Sequence, residues 1–142
     1  MSVNFINNWK NILDKLESIL ETEFKGTLPV YKGKSVPAGV NQSVQLTPLT
    51  DELVEYFVGS EVREYTINVR FTFNEANVNE TALDHILRQV SRLKKIIQNN
   101  IEMDLSDGSN IINCRFESTE LDSEDDSEAY IVDWEFKCLH HE

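Results

Sequence analysis

The feature that most constrains this fold is the run Glu64–Phe73, in which polar and apolar residues alternate at every position. Its apolar members are Tyr65, Ile67, Val69, Phe71 and Phe73. Because successive side chains of a strand point to opposite faces, this period of two predicts a β-strand with one buried face and one polar face. The same alternation in 110–118 and 129–139 predicts two further strands. Most of the regular structure is therefore expected to be sheet.

Two segments show apolar residues at three- and four-residue steps, the spacing of an amphipathic helix. The first helix is predicted over Val3–Glu23, with Ser2 as its N-cap and Gly26 as its left-handed stop. The second is predicted over Asn77–Asn99, where Glu80 follows the first residue at capping-box spacing. We therefore expect two long helices, each with one apolar stripe.

Between the first helix and the long strand, the sequence predicts shorter elements. Thr27–Tyr31 is a short strand candidate that its proline places at a sheet edge. Lys32–Gln42 contains glycine, proline and asparagine and is predicted to be a mobile loop. Ser43–Leu49 alternates weakly and is predicted to be a strand ended by Pro48. Asp51–Val58 fits either a helical turn or a strand, and we favour a short or irregular strand.

The element order, α-β-β-β-α-β-β, defines the expected fold class. We expect an α+β fold: a mainly antiparallel β-sheet with two long helices packed on one face. Asn110–Ser118 and Ala129–Leu139 form a long C-terminal hairpin after a turn at Asp107–Gly108, and the acidic segment Thr119–Glu128 connects the two strands. At 142 residues, the chain fits a single domain spanning 1–142 with a substantial core.

The formal net charge of −12, from 25 acidic and 13 basic residues, restricts the partners. Phosphate contacts need clusters of Lys and Arg, so specific nucleic-acid binding is not expected. Binding to an anionic membrane is disfavoured for the same reason. The first eight residues lack a basic region and an apolar run, and no stretch has the ~20 apolar residues of a membrane span. Synthesis in a reducing cytoplasm is therefore expected.

Cys114 and Cys138 both occupy inward-facing positions of predicted strands. If the C-terminal hairpin turns near Glu124, Cys114 lies opposite Trp134 rather than Cys138. A disulfide between them would then need another register. We expect two small buried thiols.

Three short motifs suggest chemistry, and each departs from its pattern. The tripeptide 33–35 (Gly-Lys-Ser) ends like a phosphate-binding loop, but it lacks a glycine five residues before the second one. The alternating acids of 122–128 lack the glycine and glutamate spacing of a helix-loop-helix calcium site. Cys138, His140 and His141 offer three zinc ligands where a structural site usually takes four.

No Ser/His/Asp arrangement is visible in the sequence, although such a triad is formed in space rather than along the chain. We therefore assign no catalytic, cofactor-binding or metal-binding residue. We expect that the protein needs no cofactor and that it is not an enzyme.

The polar face of the long strand is the main candidate binding surface. Glu64, Asn68 and Arg70 lie on it with two threonines, a mixture of charge and hydrogen-bonding groups that is found at subunit interfaces. Plain solvent exposure of the same face is the alternative. Tyr31 and the apolar residues of Leu53–Val58 are further candidates for this interface.

Taken together, these segments resemble the small tail and neck proteins of tailed bacteriophages. The resemblance rests on the N-terminal amphipathic helix, the Pro/Gly-bearing loop, the strand Glu61–Phe73, the helical segment His85–Ile97 and the closing hairpin. By element order, the most similar group is the tail terminator, also called the tail completion protein. The resemblance covers most of the chain and depends on pattern and order rather than on an invariant motif.

The resemblance implies a structural protein of the virion that assembles in the host cytoplasm. Tail terminators form homohexameric rings that cap the last ring of tail-tube subunits, stop polymerisation and present a surface to the head-side connector. Lys32 and Lys34 lie on the predicted loop, and our hypothesis is that this loop becomes ordered when it binds the tube or the connector.

DNA passes through the bore of such a ring. Six copies carry a charge of −72 (6 × −12), and an acidic bore would let DNA slide without specific binding. The candidate residues for the bore, or for an exposed acidic tip, are Glu120, Asp122, Glu124, Asp125, Asp126 and Glu128.

Two other functions stay open at this point. A neck or head–tail connector component, or a minor tail protein, would differ from a terminator only in its position within the virion. A small ligand-binding α+β domain or enzyme would instead have a concave pocket with convergent polar groups and a perturbed ionisable residue.

Overall fold

The computed structural model describes residues 2–33, 35–75, 78–122 and 129–142. These residues form two helices and six strands. In chain order the elements are α1 (Asn8–Phe24), β1 (Val30–Lys32), β2 (Gln42–Phe57), β3 (Ser60–Phe73), α2 (Glu80–Gln98), β4 (Met103–Asp104), β5 (Asn110–Glu120) and β6 (Tyr130–His141). The predicted α+β order is confirmed, with the two-residue strand β4 as an addition that the sequence pattern did not predict.

The strands form one sheet with the order β1-β2-β3-β6-β5-β4. Within the described residues, β1 and β2 pair in parallel, and all other neighbours pair antiparallel. The edge position predicted for the first strand is confirmed. The second and fifth strands of this order, β2 and β5, each carry only a short strand on their outer side, since β1 has three residues and β4 has two.

The core lies between the two helices and one face of the sheet. Inward residues of β3 pair with inward residues of β6, with Ile67 opposite Phe136 and Val69 opposite Trp134. All four side chains are fully buried in one cluster with residues from both helices, among them Leu16. Burying a large apolar side chain contributes about 1.5–3 kcal/mol, so this alternation holds the helices against a single face.

α1 begins at Asn8 rather than at Val3. The side chain of Asn7 accepts a hydrogen bond from the Lys10 amide at 3.1 Å and caps the helix in place of the predicted serine. Phe5, an apolar residue within the predicted range, precedes the observed helix and is 82% exposed. The predicted start is therefore wrong.

Other helix ends agree more closely with the prediction. After α1 the backbone turns left-handed at Lys25, with φ 51°, and at Gly26, with φ 82°. Glycine carries no steric penalty there, which is why it commonly follows a helix. α2 is capped by Asn79, whose side chain accepts a hydrogen bond from the Ala82 amide at 2.8 Å. Asn77, the predicted cap, lies outside the described residues.

β2 is one long strand where the sequence predicted two elements. It continues through Pro48, with a bulge between Pro48 and Thr50. β1 pairs only with Val44–Leu46, so from Thr47 onward the described part of the chain places β3 alone beside β2. Proline is tolerated at an open edge because its missing N–H removes no ladder bond on that side. The predicted end at Pro48 is wrong, and the ambiguous segment after it is strand.

Two bulges in β5 set the register of the C-terminal hairpin. Thr119, and not Cys114, lies opposite Trp134. Cys114 falls within the first bulge, across from Cys138, and both thiols are buried and free. The predicted register is wrong because it assumed a hairpin centred near Glu124, and the observed pairs of β5 and β6 do not centre on that residue. The expectation of two buried thiols is confirmed.

Candidate subunit interface

The polar residues that the sequence singled out lie on the sheet face opposite the helices, called the outer face here. Glu64, Asn68 and Arg70 alternate along β3 with buried core positions, and this alternation directs their side chains away from α1 and α2. The structure thus brings these three residues to one surface. Their role in binding a partner stays a prediction.

Arg70 and Asp133 form a two-point ion pair on the outer face. Nε of Arg70 lies 2.8 Å from Oδ1 of Asp133, and Nη2 lies 3.1 Å from Oδ2. Nδ2 of Asn68 lies 3.4 Å from the same Oδ1. The Arg70 and Asp133 side chains are only 27% and 15% exposed. A contact of this geometry fixes the position of β3 relative to β6.

Glu64 occupies the centre of a second ionic group. Its carboxylate lies 3.1 Å from Nη2 of Arg115 and 3.4 Å from Nζ of Lys137. The hydrogen bond from Arg115, followed by the charge of Lys137, lowers the pKa of Glu64 despite partial burial. The outer face is therefore held together by pairs between β3, β5 and β6, and a partner would meet charges that already have partners.

Lys32 lies at the end of β1 rather than in a loop. Its ammonium group bonds the carboxylate of Asp14 in α1, which also pairs with Lys10. Hydrogen bonds from Lys10 and then Lys32 lower the pKa of Asp14. Lys32 therefore ties the edge strand to α1 and is separate from the outer-face residues. Lys34, the other predicted loop lysine, lies outside the described residues.

An exposed apolar surface lies on residues 47–61, called the distal hairpin here. It comprises the second half of β2, the turn at Val58–Gly59 and the start of β3. Gly59 has φ 83°, which lets the chain reverse with Phe57 paired to Ser60. The exposed apolar residues are Leu49, Leu53, Val54, Tyr56, Phe57 and Val58. A long open edge of this composition tends to bind another chain.

A groove lies at the other side of the sheet, between the C-terminal end of α2 and β5. Its volume is about 570 Å³, and Ile97, Ile101, Cys114 and Phe116 contribute apolar walls. Burial raises the pKa of the Cys114 thiol to about 12, so the thiol stays protonated at neutral pH and is a poor nucleophile. The groove therefore offers shape and apolar surface rather than a reactive group.

The acidic tip of the C-terminal hairpin is described only in part. Glu120 is the last residue of β5, and Asp122 follows it with φ 52°; both are exposed. The remaining predicted bore residues, Glu124, Asp125, Asp126 and Glu128, lie outside the described residues.

One cluster has the connectivity of a Ser–His–acid triad. Nε2 of His140 lies 3.0 Å from Oγ of Ser109, and Nδ1 lies 2.7 Å from Oε2 of Glu142. Two observations argue against catalysis. His140 is only 3% exposed, and both the hydroxyl and the amide of Ser109 bond Asp107, at 2.6 and 3.1 Å. The Ser109 hydroxyl is thus held by the Asp107 carboxylate, and the imidazole of His140 beside it is out of reach of a substrate.

The same cluster has a clear structural use. The Glu142 carboxylate also accepts hydrogen bonds from the Tyr65 hydroxyl at 2.9 Å and from Nδ2 of Asn8 at 3.1 Å. Burial, and secondly the bond to Glu142, raises the pKa of Tyr65, so its hydroxyl remains a donor. With His140, these contacts fasten the end of β6 to the β4–β5 turn and to the start of α1.

Among the described residues, no three His, Cys, Asp or Glu side chains come together in a way that could hold a metal ion. Cys138 lies in the core, and His140 is engaged by Ser109 and Glu142. Neither helix of the described part has the length and apolar character needed to cross a membrane.

Comparison with known proteins finds similarity in structure but none in sequence. No protein-family model matches the chain, and no curated protein matches it. Among solved structures, the chain is similar to a chain of "Virion of native gene transfer agent (GTA) particle". The TM-score is 0.65 at 10% identity, and the match covers 97% of this chain and 100% of that chain. At this identity the match shows a shared fold.

Sequence reasoning found part of this candidate interface. Leu53–Val58 was singled out as apolar, and its exposure follows from an open edge that apolar spacing alone does not reveal. The α2–β5 groove was missed, because a bulge in β5 forms one of its walls. The Ser109–His140–Glu142 cluster was missed because its members meet only through the pairing of β5 with β6.

Proposed function

We propose that this protein is a structural subunit of a phage-like virion and forms a ring that caps the tail tube, ends its polymerisation and joins the tail to the head-side connector. The observation that carries the proposal is the fold match to a chain of a gene transfer agent virion over nearly the full length of both chains. The whole chain, 1–142, acts as a single domain in this role. No chemistry is part of it, so the protein is not an enzyme.

Two exposed surfaces at opposite sides of the sheet support assembly into a ring. A closed ring needs two different complementary patches on each subunit, because head-to-tail contacts close by rotation. The distal hairpin and the α2–β5 groove are distinct in shape and in composition. A homohexamer is the ring size proposed here.

Charge supports a bore that transmits DNA without holding it. A net charge of −12 per copy gives six copies −72 (6 × −12), which repels phosphates. We assign the acidic tip, from Glu120 to Glu128, to the bore. The outer-face residues Glu64, Asn68 and Arg70, together with Lys32 and Lys34, are assigned to contacts with neighbouring copies, the tube or the connector. Membrane binding has no part in this function, which is carried out in the virion after assembly in the host cytoplasm.

Deletion of the gene from the phage-like element that encodes the protein tests its place in the tail. A missing terminator leaves tube polymerisation unchecked, so electron micrographs should show tails that are longer than wild type and variable in length. Expression of the protein from a plasmid should restore one length. Tails of normal length that fail to join heads would contradict the terminator role and assign the protein to the neck or connector.

A further inference from the structure

We propose that the distal hairpin of one copy docks into the α2–β5 groove of the next copy, and that this contact closes the ring. The inference rests on the proposed function, because it names the two surfaces through which identical subunits meet. It commits to a second copy of this chain as the occupant of the groove.

The hairpin has the form of an inserting element. Val58, at its turn, is 101% exposed, and Tyr56 is 69% exposed. Throughout this segment β2 pairs with β3 along one edge, and its other edge has no neighbour among the described strands. The hairpin therefore presents large apolar side chains together with a free strand edge, and both favour burial against another chain.

The groove has the form of a receptor for such an element. β4 covers β5 only at Asn110 and Ile111, and the Cys114 amide donates a hydrogen bond to the Ile101 carbonyl at 2.9 Å. Beyond Cys114 that edge has no strand beside it among the described residues. Asn113 adopts φ 54°, which accompanies the bulge and bends β5 beside the groove. Ile101, which lines the groove, is 60% exposed. An aromatic or branched side chain of the hairpin can thus be buried between α2 and β5.

Charge separates the two surfaces in a complementary way. The distal hairpin contains four acids, Asp51, Glu52, Glu55 and Glu61, and no base. Arg63 pairs with Asp51 and Glu61, so Glu52 and Glu55 supply the net negative charge of this surface. α2 contains four bases and two acids, and its bases are concentrated toward its C-terminal end. Lys94, Arg115 and Glu117 line the groove itself, and because Arg115 pairs with Glu117, Lys94 leaves the groove with a net positive charge. Acidic hairpins repel one another and attract the basic end of α2, so this pattern favours hairpin-to-groove contacts over hairpin-to-hairpin contacts.

Charge reversal in two variants tests the contact. The hairpin variant carries Glu52→Lys and Glu55→Lys, and the groove variant carries Lys94→Glu and Gln98→Glu. Either variant alone places like charges at every contact, so the concentration for half-assembly, measured by native mass spectrometry, should rise by about tenfold or more. An equimolar mixture restores opposite charges at every contact of an alternating ring. The mixture should therefore assemble near the wild-type concentration.

Matched controls separate this effect from net charge. Glu21→Lys with Glu75→Lys copies the hairpin change at exposed acids outside the hairpin. Arg88→Glu with Ser91→Glu places new acids on exposed positions of α2 that precede its C-terminal end and do not line the groove. Both controls should assemble like wild type. Normal assembly of either test variant, or failure of the mixture to assemble, would overturn the inference.

A cross-link keeps the test decisive if a charge variant folds poorly. Val58→Cys combined with Ile101→Cys in one chain should give a ladder of covalent oligomers ending at the ring after mild oxidation. Val58→Cys combined with Ser91→Cys should not. Wild-type rings without the ladder would refute the hairpin–groove contact while leaving the ring intact. Absence of wild-type rings, alone and on tail tubes, would instead refute the proposed function.

Discussion

The ion pair between Arg70 and Asp133 supports the sharpest prediction about the subunit itself. Exposed ion pairs typically contribute about 0.2–1 kcal/mol, whereas hydrogen bonds to charged groups that are shielded from water contribute about 1.5–3 kcal/mol. The two side chains are 27% and 15% exposed and make contacts of 2.8 and 3.1 Å, so the pair lies between these cases. We expect a coupling free energy of about 1–2 kcal/mol.

A double-mutant cycle with Arg70→Met and Asp133→Asn measures this coupling. Each single variant removes one side of the Arg70–Asp133 contact and should lose about 2 kcal/mol of unfolding free energy. Because a chain of this size has a urea m-value of about 1–3 kcal/mol per M, the midpoint should fall by about 1 M. The double variant should lose less than the sum of the two singles.

Urea titrations of this cycle should be run at a concentration where native mass spectrometry shows only monomer, because assembly adds to apparent stability. A coupling below about 0.3 kcal/mol is within the usual error of additivity. Such a value would refute the argument that this pair fixes β3 against β6 in the free subunit. If Arg70→Met monomers stay folded but form no ring, the result would indicate that the outer face also contacts a neighbouring copy.

Three further predictions concern single groups. The pKa of Glu64 is lowered in the folded chain from its ordinary value of 4.5, so its contribution to stability is present above that pH and is lost as the pH falls through the folded pKa. In the Glu64→Gln variant, the unfolding free energy measured with urea should therefore depend less on pH below about 4.5 than in the wild type. An unchanged pH dependence would contradict this. Cys114 and Cys138 are buried with raised pKa values, so Ellman's reagent should react with neither until denaturant unfolds the chain, and fast labelling of the native protein would exclude the described packing. Gly59→Ala should lower the unfolding free energy by about 1–2 kcal/mol, because φ 83° is strained for a residue with a Cβ even though nothing lies within 4 Å of the added atom. An unchanged unfolding free energy in the same urea assay would show that the turn relaxes.

The fold was predictable where one physical signal dominated. β3 and β6 bury one face and expose the other, so a period of two fixes both the strands and their orientation. α2 has a helical apolar stripe together with dipole-matched charges. α1 was placed too early because Phe5 continues the spacing of the stripe but has no core to face. The long β2 was divided because Pro48 predicts a strand end unless the edge beside it is known to be open.

The candidate interface was predictable only in part, and for a related reason. The parity of β3 places Glu64 and Arg70 on one face, but their partners come from β5 and β6. Which residues meet across those strands depends on two bulges, and bulges leave no periodic trace. The exposure of Leu53–Val58 depends on how far β1 extends, which is a property of the whole sheet. Tertiary context therefore decides what local pattern cannot.

Cryo-electron microscopy of the intact particle tests the central claim most directly. The account predicts six copies of the chain in one ring between the last tail-tube ring and the connector, with the acidic tips toward the DNA and each distal hairpin in a neighbour's groove. A particle that contains the protein elsewhere, or as isolated copies with both surfaces exposed to solvent, would contradict it.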